Sequence, residues 1–217
     1  IRSDLPVGCS QKDFALAWAH ESWLGDAAYA VALLKSAKPG GASGGSMQVR
    51  LLPTDTGWKP YSSAIFGALR HARNHIYIEH PYLFDKRITA ELVHARRRGV
   101  DVRVIMPRVN DFKAGGRSNL VTANYLMQHG IRVYFYPGMT HVKAVLVDGW
   151  SCVGSANLNH LSLRLCREHN VATSDEHFAS ALKSEVFLPD FEKSYELTQP
   201  VKVDWVDILA DFALENL

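Results

Sequence analysis

The sequence predicts an α/β protein, a layered α-β-α sandwich around a mixed, largely parallel sheet. Short β-branched runs such as HIYIEH and VDVRVIMP are typical of buried strands. The stretch between them, ITAELVHARRR, has the apolar spacing of a helix. Gly99 and Gly130 stand where helices commonly end. Strands that alternate with helices in this way favour parallel strands joined by helical crossovers.

The individual elements follow from the same two periodicities, two residues for strands and 3.6 for helices. The order that they predict is strand MQVRLL, helix SSAIFGALRHA, strand HIYIEH, helix ITAELVHARRR, strand VDVRVIMP, basic loop NDFKAGGRSN, helix NLVTANYLMQH and strand IRVYFYP. A strand over residues 141–147, an Asp148-Gly149 turn, the strand SCVG, a strand around EHNVAT and C-terminal helices complete the chain.

The domain organisation is set by one flexible segment. KPGGASGGS, residues 38–46, has the composition of a Gly/Ser linker. Residues 1–37, which are helical in pattern, are then interpreted as the tail of a preceding lobe. Residues 47–217 form the main domain.

Composition narrows the functional classes. The chain is 47% hydrophobic and 21% charged, as in globular proteins, and it lacks an apolar stretch of the roughly 20 residues that would span a bilayer. Residues 61–143 carry 13 Lys/Arg against 5 Asp/Glu, whereas residues 144–217 carry 5 against 12. The basic part suits a phosphate-bearing ligand, either a lipid headgroup or a nucleic acid.

Metal chemistry is not indicated by the sequence. The three cysteines and ten histidines show neither the spacing of metal ligands nor a disulfide framework. We therefore expect no metal and no cofactor.

The chemistry is concentrated in HVKAVLVDGWSCVGSANLN, residues 141–159. In a strand, His141 and Lys143 project from one face. A neutral imidazole can attack phosphorus and form a phosphohistidine, while the lysine charge stabilises phosphate oxygens. Ser155 and Asn157 add a hydroxyl and an amide on a glycine-containing turn. The pattern therefore predicts phosphodiester chemistry through histidine.

At these residues the chain resembles the phospholipase D superfamily. His141-x-Lys143, Asp148 and the Gly-Ser-x-Asn corner are similar to its HKD motif, and the flanking segments resemble the second half of bacterial cardiolipin synthases. The resemblance implies a phospholipase D-like fold and a metal-free phosphodiesterase or phosphatidyltransferase. His141 would be nucleophile or general acid, and Asp148 would belong to the catalytic set. Lys143 and Asn157 would bind phosphate, Ser155 would support that site, and Glu168 would orient His141.

Three departures from the family pattern bear on this resemblance. Five residues separate Asp148 from Gly154, where six are common, and Asn159 stands where cardiolipin synthases often have aspartate. Family enzymes also use two HKD motifs, and this chain has one. A second half is therefore expected, from a missing upstream segment or from a homodimer mate.

A further pair of candidate substrate contacts follows the strand HIYIEH. His80 and Tyr82 stand at its carboxyl end, the edge at which α/β proteins gather their sites. Either residue is predicted to touch substrate.

The expected function is a phospholipid enzyme of the bacterial envelope with peripheral membrane contact. Two alternatives remain open at this point: a single-motif dimeric nuclease of the same superfamily, and a phosphate-binding half that completes a partner. An apolar channel would indicate lipid, and an open basic trough would indicate nucleic acid.

Overall fold

The computed structural model describes residues 47–54 and 59–215. The predicted helical segment 1–37 and the predicted linker 38–46 lie outside the described residues. Leu52 begins a compact unit that contains the whole of the predicted motif.

The described elements alternate along the chain as the sequence predicts. The strands are β1 (Arg50–Thr54), β2 (His75–Glu79), β3 (Asp101–Pro107), β4 (Arg132–Tyr136), β5 (Ala144–Val147), β6 (Trp150–Gly154), β7 (Glu168–Thr173) and β8 (Tyr195–Glu196). The helices are α1 (Pro60–His71), α2 (Lys86–Arg97), α3 (Lys113–Gln128), α4 (His160–Arg164), α5 (Glu176–Leu182), α6 (Leu188–Lys193) and α7 (Trp205–Glu215), with a π-helical turn, Lys183–Phe187, between α5 and α6.

The strands form one mixed sheet in the order β1-β7-β6-β5-β2-β3-β4-β8. Strands β2, β3 and β4 are parallel, as expected where helices α2 and α3 connect them. Strand β5 runs antiparallel to β2, and the hairpin β5-β6-β7 continues antiparallel. The α/β class is thus confirmed, with β2, β3 and β4 as a parallel part next to the antiparallel strands β5, β6 and β7.

Both faces of the sheet are covered, because successive strand residues point to opposite sides. Ile76 and Ile78 belong to a core that includes α1, α2 and α3. Tyr77, between them, belongs to a second core with α5, the π-helical turn and α6. This arrangement confirms the predicted three layers.

The register of the strands brings the ends of β2, β5, β6 and β7 to one edge of the sheet. Glu79 at the end of β2 lies opposite Ala144 at the start of β5. Gly154 at the end of β6 lies opposite Asn170 near the start of β7. Residues that follow β2 and β6, and residues that precede β5 and β7, are therefore brought to the same edge of the sheet.

One predicted loop is wrong over most of its length. NDFKAGGRSN becomes helical from Lys113, because α3 begins there. A Cβ atom on Gly115 would lie 2.6 Å from the Tyr82 ring and 2.8 Å from the Phe112 ring. The glycine is needed for close packing at this point, although the sequence presents it as a loop residue.

Helix length also bears on membrane insertion. Among the described residues, no helix is both long enough and apolar enough to cross a bilayer.

Candidate active site

His141 and Lys143 lie together in the segment that leads into β5. The Lys143 Nζ atom is 3.2 Å from Nδ1 and 3.4 Å from Nε2 of His141, and it donates a hydrogen bond to the His141 carbonyl at 3.3 Å. The strand begins at Ala144, three residues later than predicted. Partial burial lowers the pKa of Lys143, while the carboxylates of Glu168 and Asp111 act to raise it. An ammonium beside an exposed imidazole suits the binding of an anion.

The Gly-Ser-x-Asn corner is held against this pair by the backbone. Gly154 N–H donates to the Lys143 carbonyl at 3.3 Å, and Ser155 N–H donates to the His169 carbonyl at 3.0 Å. A Cβ atom on Gly154 would lie 2.6 Å from both the Asn170 Cα and the His169 carbonyl oxygen. Only glycine therefore permits this approach of β6 to β7, which brings the corner to the site.

Glu168 is bound to two serines. Ser155 Oγ donates to its Oε2 at 2.5 Å, and Ser162 Oγ donates to its Oε1 at 3.0 Å. The family resemblance implied instead that Glu168 orients His141. In the structure the ring nitrogens of His141 lie by Lys143, so the orienting role stays a prediction.

Asn157 carries an unsatisfied polar atom. Its Oδ1 is buried and has no hydrogen-bond partner within the described structure. Buried amide oxygens are nearly always paired, so this atom is a candidate for binding a donor group. The neighbouring Asn170, which sequence reasoning missed, receives the Ala156 N–H at 3.2 Å and donates to the Leu52 carbonyl at 3.3 Å.

The inclusion of Asp148 in the catalytic set stays a prediction, because the contacts of its side chain in the structure are with the start of β2. Its carboxylate accepts hydrogen bonds of 2.9 Å from the backbone N–H groups of Arg73, Asn74 and His75. Strand β5 separates it from His141, which puts the two residues roughly 20 Å apart along an extended chain. Asp148 has a positive φ of 50°, which suits a turn position. It fixes the hairpin to the start of β2.

His80 and Tyr82 lie beneath the surface. His80 is 1% exposed, and burial together with the Lys143 charge lowers its pKa to about 3. Both of its ring nitrogens are buried without a hydrogen-bond partner in the described part of the chain. Tyr82 packs its ring against Phe112 and donates its hydroxyl proton to Asp111. Direct contact of either residue with substrate stays a prediction.

Asp111 is a site residue that the sequence analysis did not find. Its hydrogen bond from Tyr82 and its interaction with His141 lower its pKa, and its charge also acts on Lys143. The signal was weak, because Asp111 stands in an apparently ordinary loop and joins the site only through the packing of Tyr82.

The segments around the site expose large apolar side chains. Met139 lies two residues before His141, Leu165 three residues before Glu168, and Phe112 directly after Asp111; all three are at least one-third exposed. Val109, which is 58% exposed, is joined to the Met139 segment by a hydrogen bond from its N–H to the Gly138 carbonyl. We call Val109, Phe112, Met139 and Leu165 the apolar rim.

Possible metal ligands do not assemble in the described part of the chain. Over residues 47–54 and 59–215, no group of three or more His, Cys, Asp or Glu side chains could hold a metal ion.

The fold and the His-Lys pair together define a phospholipase D-like α/β domain. The chain belongs to the family described as "Cardiolipin synthase, PLD-like domain", whose profile matches residues 65–187. This match covers more than half of the sequence and contains the whole predicted motif.

Curated relatives agree with this assignment. The chain is 32% identical over 156 residues to cardiolipin synthase of Listeria monocytogenes, which covers 70% of this chain and 32% of the relative. It is 37% identical over 134 residues to cardiolipin synthase A of Pseudomonas putida, covering 60% of this chain and 28% of the relative. The chain thus spans about a third of the length of the curated relatives it matches.

Solved structures confirm the fold. Nuc of Salmonella typhimurium, a phospholipase D family member, superposes with a TM-score of 0.62 at 20% identity, over 70% of this chain and 99% of Nuc. Phosphatidylserine synthase of Haemophilus influenzae gives a TM-score of 0.64 at 16% identity, over 88% of this chain and 53% of that protein.

Proposed function

We propose that this chain is one catalytic half of a phosphodiesterase or phosphatidyltransferase that acts on phospholipids. The observation that carries the proposal is the exposed His141 imidazole beside the Lys143 ammonium, with the Lys143 carbonyl accepting a hydrogen bond from Gly154 at the start of the Gly-Ser-x-Asn corner. The membership of the chain in the cardiolipin synthase PLD-like family supports the choice of chemistry.

The proposed reaction has two displacements at phosphorus. In the first, a ring nitrogen of one histidine attacks the phosphodiester, a P–N bond forms, and the P–O bond to the leaving alcohol breaks. A general acid gives its proton to that alkoxide. In the second, an alcohol or water loses a proton to the same group and attacks phosphorus, and the P–N bond breaks. Lys143 and Asn157 would bind the phosphate oxygens. Their interaction with these oxygens becomes stronger as negative charge develops on them in the transition state.

The reaction requires a nucleophile and an acid on opposite sides of phosphorus. His141 can fill one of these roles. His80, although close to Lys143, is buried and its pKa is about 3, so in this state it would be a poor acid at neutral pH. We therefore infer that a second half supplies the other histidine. A segment upstream of this chain is our first choice and a homodimer mate is the second.

The apolar rim favours phospholipid over nucleic acid. The exposed valine, phenylalanine, methionine and leucine side chains of the rim lie in the chain segments that carry or adjoin the site residues, and such surfaces favour acyl chains over a solvated polyanion. A nuclease remains the second candidate, because the basic balance of residues 61–143 would also suit a nucleic-acid backbone. We further propose peripheral contact with a bacterial membrane.

The test is turnover of phosphatidylglycerol vesicles by the chain produced together with its upstream sequence. His141→Ala should lower the rate by at least ~10²–10⁴-fold, since no other side chain replaces the imidazole. His177→Ala is the matched control, because His177 is exposed on α5, and it should leave the rate unchanged. Near-wild-type turnover by the His141 variant would refute the assignment. Cleavage of single-stranded DNA without lipid turnover would establish the nuclease instead.

A further inference from the structure

Helix α7 exposes its apolar side to the surface and turns its acidic side chains towards the protein. Its exposed positions are all apolar: Trp205, Ile208, Leu209, Phe212 and Ala213. The four large side chains among them are between 55% and 74% exposed. They recur at intervals of three and four residues and therefore form one continuous face. We call Trp205, Ile208, Leu209 and Phe212 the α7 face.

The acidic side chains of the same helix point towards the protein. Asp207 is buried and accepts a 2.7 Å hydrogen bond from Arg117. Asp211 accepts a hydrogen bond from Ser118 at 2.5 Å, and Glu215 pairs with Lys86. These polar contacts fix the rotation of α7 on α3, so the outward orientation of the apolar face is specified by the fold.

The size of the α7 face argues against a protein partner as its main occupant. An 11-residue helix is about 16 Å long. One face of such a helix falls well short of the ~800 Å² per partner that stable protein interfaces bury. A lipid surface has no such requirement, since a single amphipathic helix can lie in the headgroup region.

The charges around the face suit an anionic lipid surface. Lys202 is exposed three residues before the helix begins. At the other end, Lys86 pairs with Glu215, and Lys113 is exposed beside Ala114, which packs in the cluster of Leu214. Exposed lysines therefore stand at both ends of the apolar face. Of the carboxylates nearby, Asp207 is buried beneath the face, and the exposed Asp204 lies 3.5 Å from the Arg117 guanidinium.

The position of α7 connects it with the active site. Leu214 packs with Tyr82 and Phe84. Tyr82 in turn binds Asp111 and contacts Phe112 of the apolar rim. A helix resting on a bilayer at this place would bring the rim next to the lipids.

We propose that the α7 face docks this domain on a phospholipid bilayer, with Trp205 in the headgroup region. The inference deepens the proposed function and rests on it, because it supplies the surface from which a phospholipid substrate would enter. Aromatic side chains favour this interfacial region. Anionic lipid should strengthen binding through the flanking lysines.

The experiment is flotation of the full chain with phosphatidylcholine vesicles, with and without phosphatidylglycerol. The wild type should float with both and more strongly with the anionic vesicles. The double variant Ile208→Ser/Leu209→Ser should bind roughly tenfold more weakly or not at all, because buried apolar area sets the affinity. Leu188→Ser is the matched control, since Leu188 is 42% exposed on α6, and it should bind as the wild type does.

Two further measurements distinguish insertion into lipid from contact with another protein. Quenching of Trp205 fluorescence by brominated acyl chains should be lost in Trp205→Phe if the residue enters the bilayer. Light scattering of the same variants shows whether the face is a protein interface. Wild type that stays with the protein fraction, or a double variant that becomes monomeric while still floating, would overturn the proposal.

Failure of docking and failure of the enzymatic function are distinguishable. His141→Ala should float normally if docking is independent of catalysis. The Ile208→Ser/Leu209→Ser variant should lose turnover of vesicles but keep turnover of a short-chain, soluble phospholipid. Turnover is measured on the chain produced together with its upstream sequence, and floating of that protein without turnover of either substrate would reject the proposed function and leave the docking surface intact.

Discussion

Gly154 is the residue on which the geometry of the site depends most directly. Its backbone bridges Lys143 and the β7 strand, and a side chain there would meet backbone atoms at 2.6 Å. The Gly154→Ala variant should therefore lose about 1–3 kcal/mol of unfolding free energy, and should lose activity through displacement of Ser155.

Urea denaturation measures this loss. Gly149→Ala is the control, because a Cβ on Gly149 meets no heavy atom within 4 Å. Equal stability of the two variants would contradict the close approach of β6 and β7.

Glu79 should make stability depend on pH. It is fully buried behind the His141 segment, where Thr140 donates to its Oε1 at 2.5 Å. Burial is the main cause that raises its pKa from 4.5 to about 7; the Thr140 hydrogen bond acts against this shift and the neighbouring Asp190 adds to it. The folded protein then keeps a proton that the unfolded chain has already lost. The free energy of unfolding should fall by about 1–3 kcal/mol as pH rises from about 4.5 to about 7, and level off above.

The Glu79→Gln variant removes this titrating group while keeping a side chain of similar shape. Its unfolding free energy, measured by urea denaturation across the same pH range, should lack this decrease. A variant with the same pH dependence as the wild type would show that Glu79 does not titrate there.

At the scale of elements, the start of α3 should be sensitive to a single methyl group. Gly115 faces the rings of Tyr82 and Phe112 at distances that leave no space for Cβ. The Gly115→Ala variant gains helix propensity of about 1 kcal/mol, yet the overpacking should cost about 1–3 kcal/mol. We expect net destabilisation and release of Tyr82 from Asp111.

The control for this variant is Gly67→Ala, because a Cβ on Gly67 of α1 meets no heavy atom within 4 Å. That change should stabilise the protein by up to about 1 kcal/mol. Thermal unfolding of both variants separates propensity from packing. A stabilised Gly115 variant would contradict the observed contact with Tyr82.

The elements that the sequence predicted well are those whose signal is local. Buried β-branched runs gave β2, β3 and β4, and apolar spacing gave α1 and α2. The start of α3 was missed because Gly115 serves packing against Tyr82, a residue 33 positions away along the chain. The hydrogen bonds of Asp148 were not predicted, because its partners, Arg73 to His75, lie far back along the chain.

The site was predictable to the extent that one continuous segment carries it. His141, Lys143, Ser155 and Asn157 are close in sequence; His141 and Lys143 are in contact, and Gly154 joins the corner that carries Ser155 and Asn157 to the Lys143 backbone. Asp111 and Asn170 joined the site only through tertiary contacts. No periodicity marks such residues in advance.

At the scale of the whole molecule, activity depends on whether one chain supplies both of the histidines that the proposed reaction needs. The chain spans about a third of its curated relatives, and the proposed reaction needs a second histidine across from His141. We predict that this chain alone turns over phosphatidylglycerol far more slowly than the chain with its upstream sequence, or forms a two-fold dimer when it is active alone.

Light scattering combined with the turnover assay tests this prediction, with His141→Ala mixed into wild type as a probe of shared sites. If two copies share one site, mixed dimers each lack one histidine, so activity should fall more steeply than the wild-type fraction. A monomer with full activity would refute both arrangements and require an acid within the chain. His169 is then the side chain to replace first, because it is exposed beside Ser155, whereas His80 is buried with a pKa of about 3.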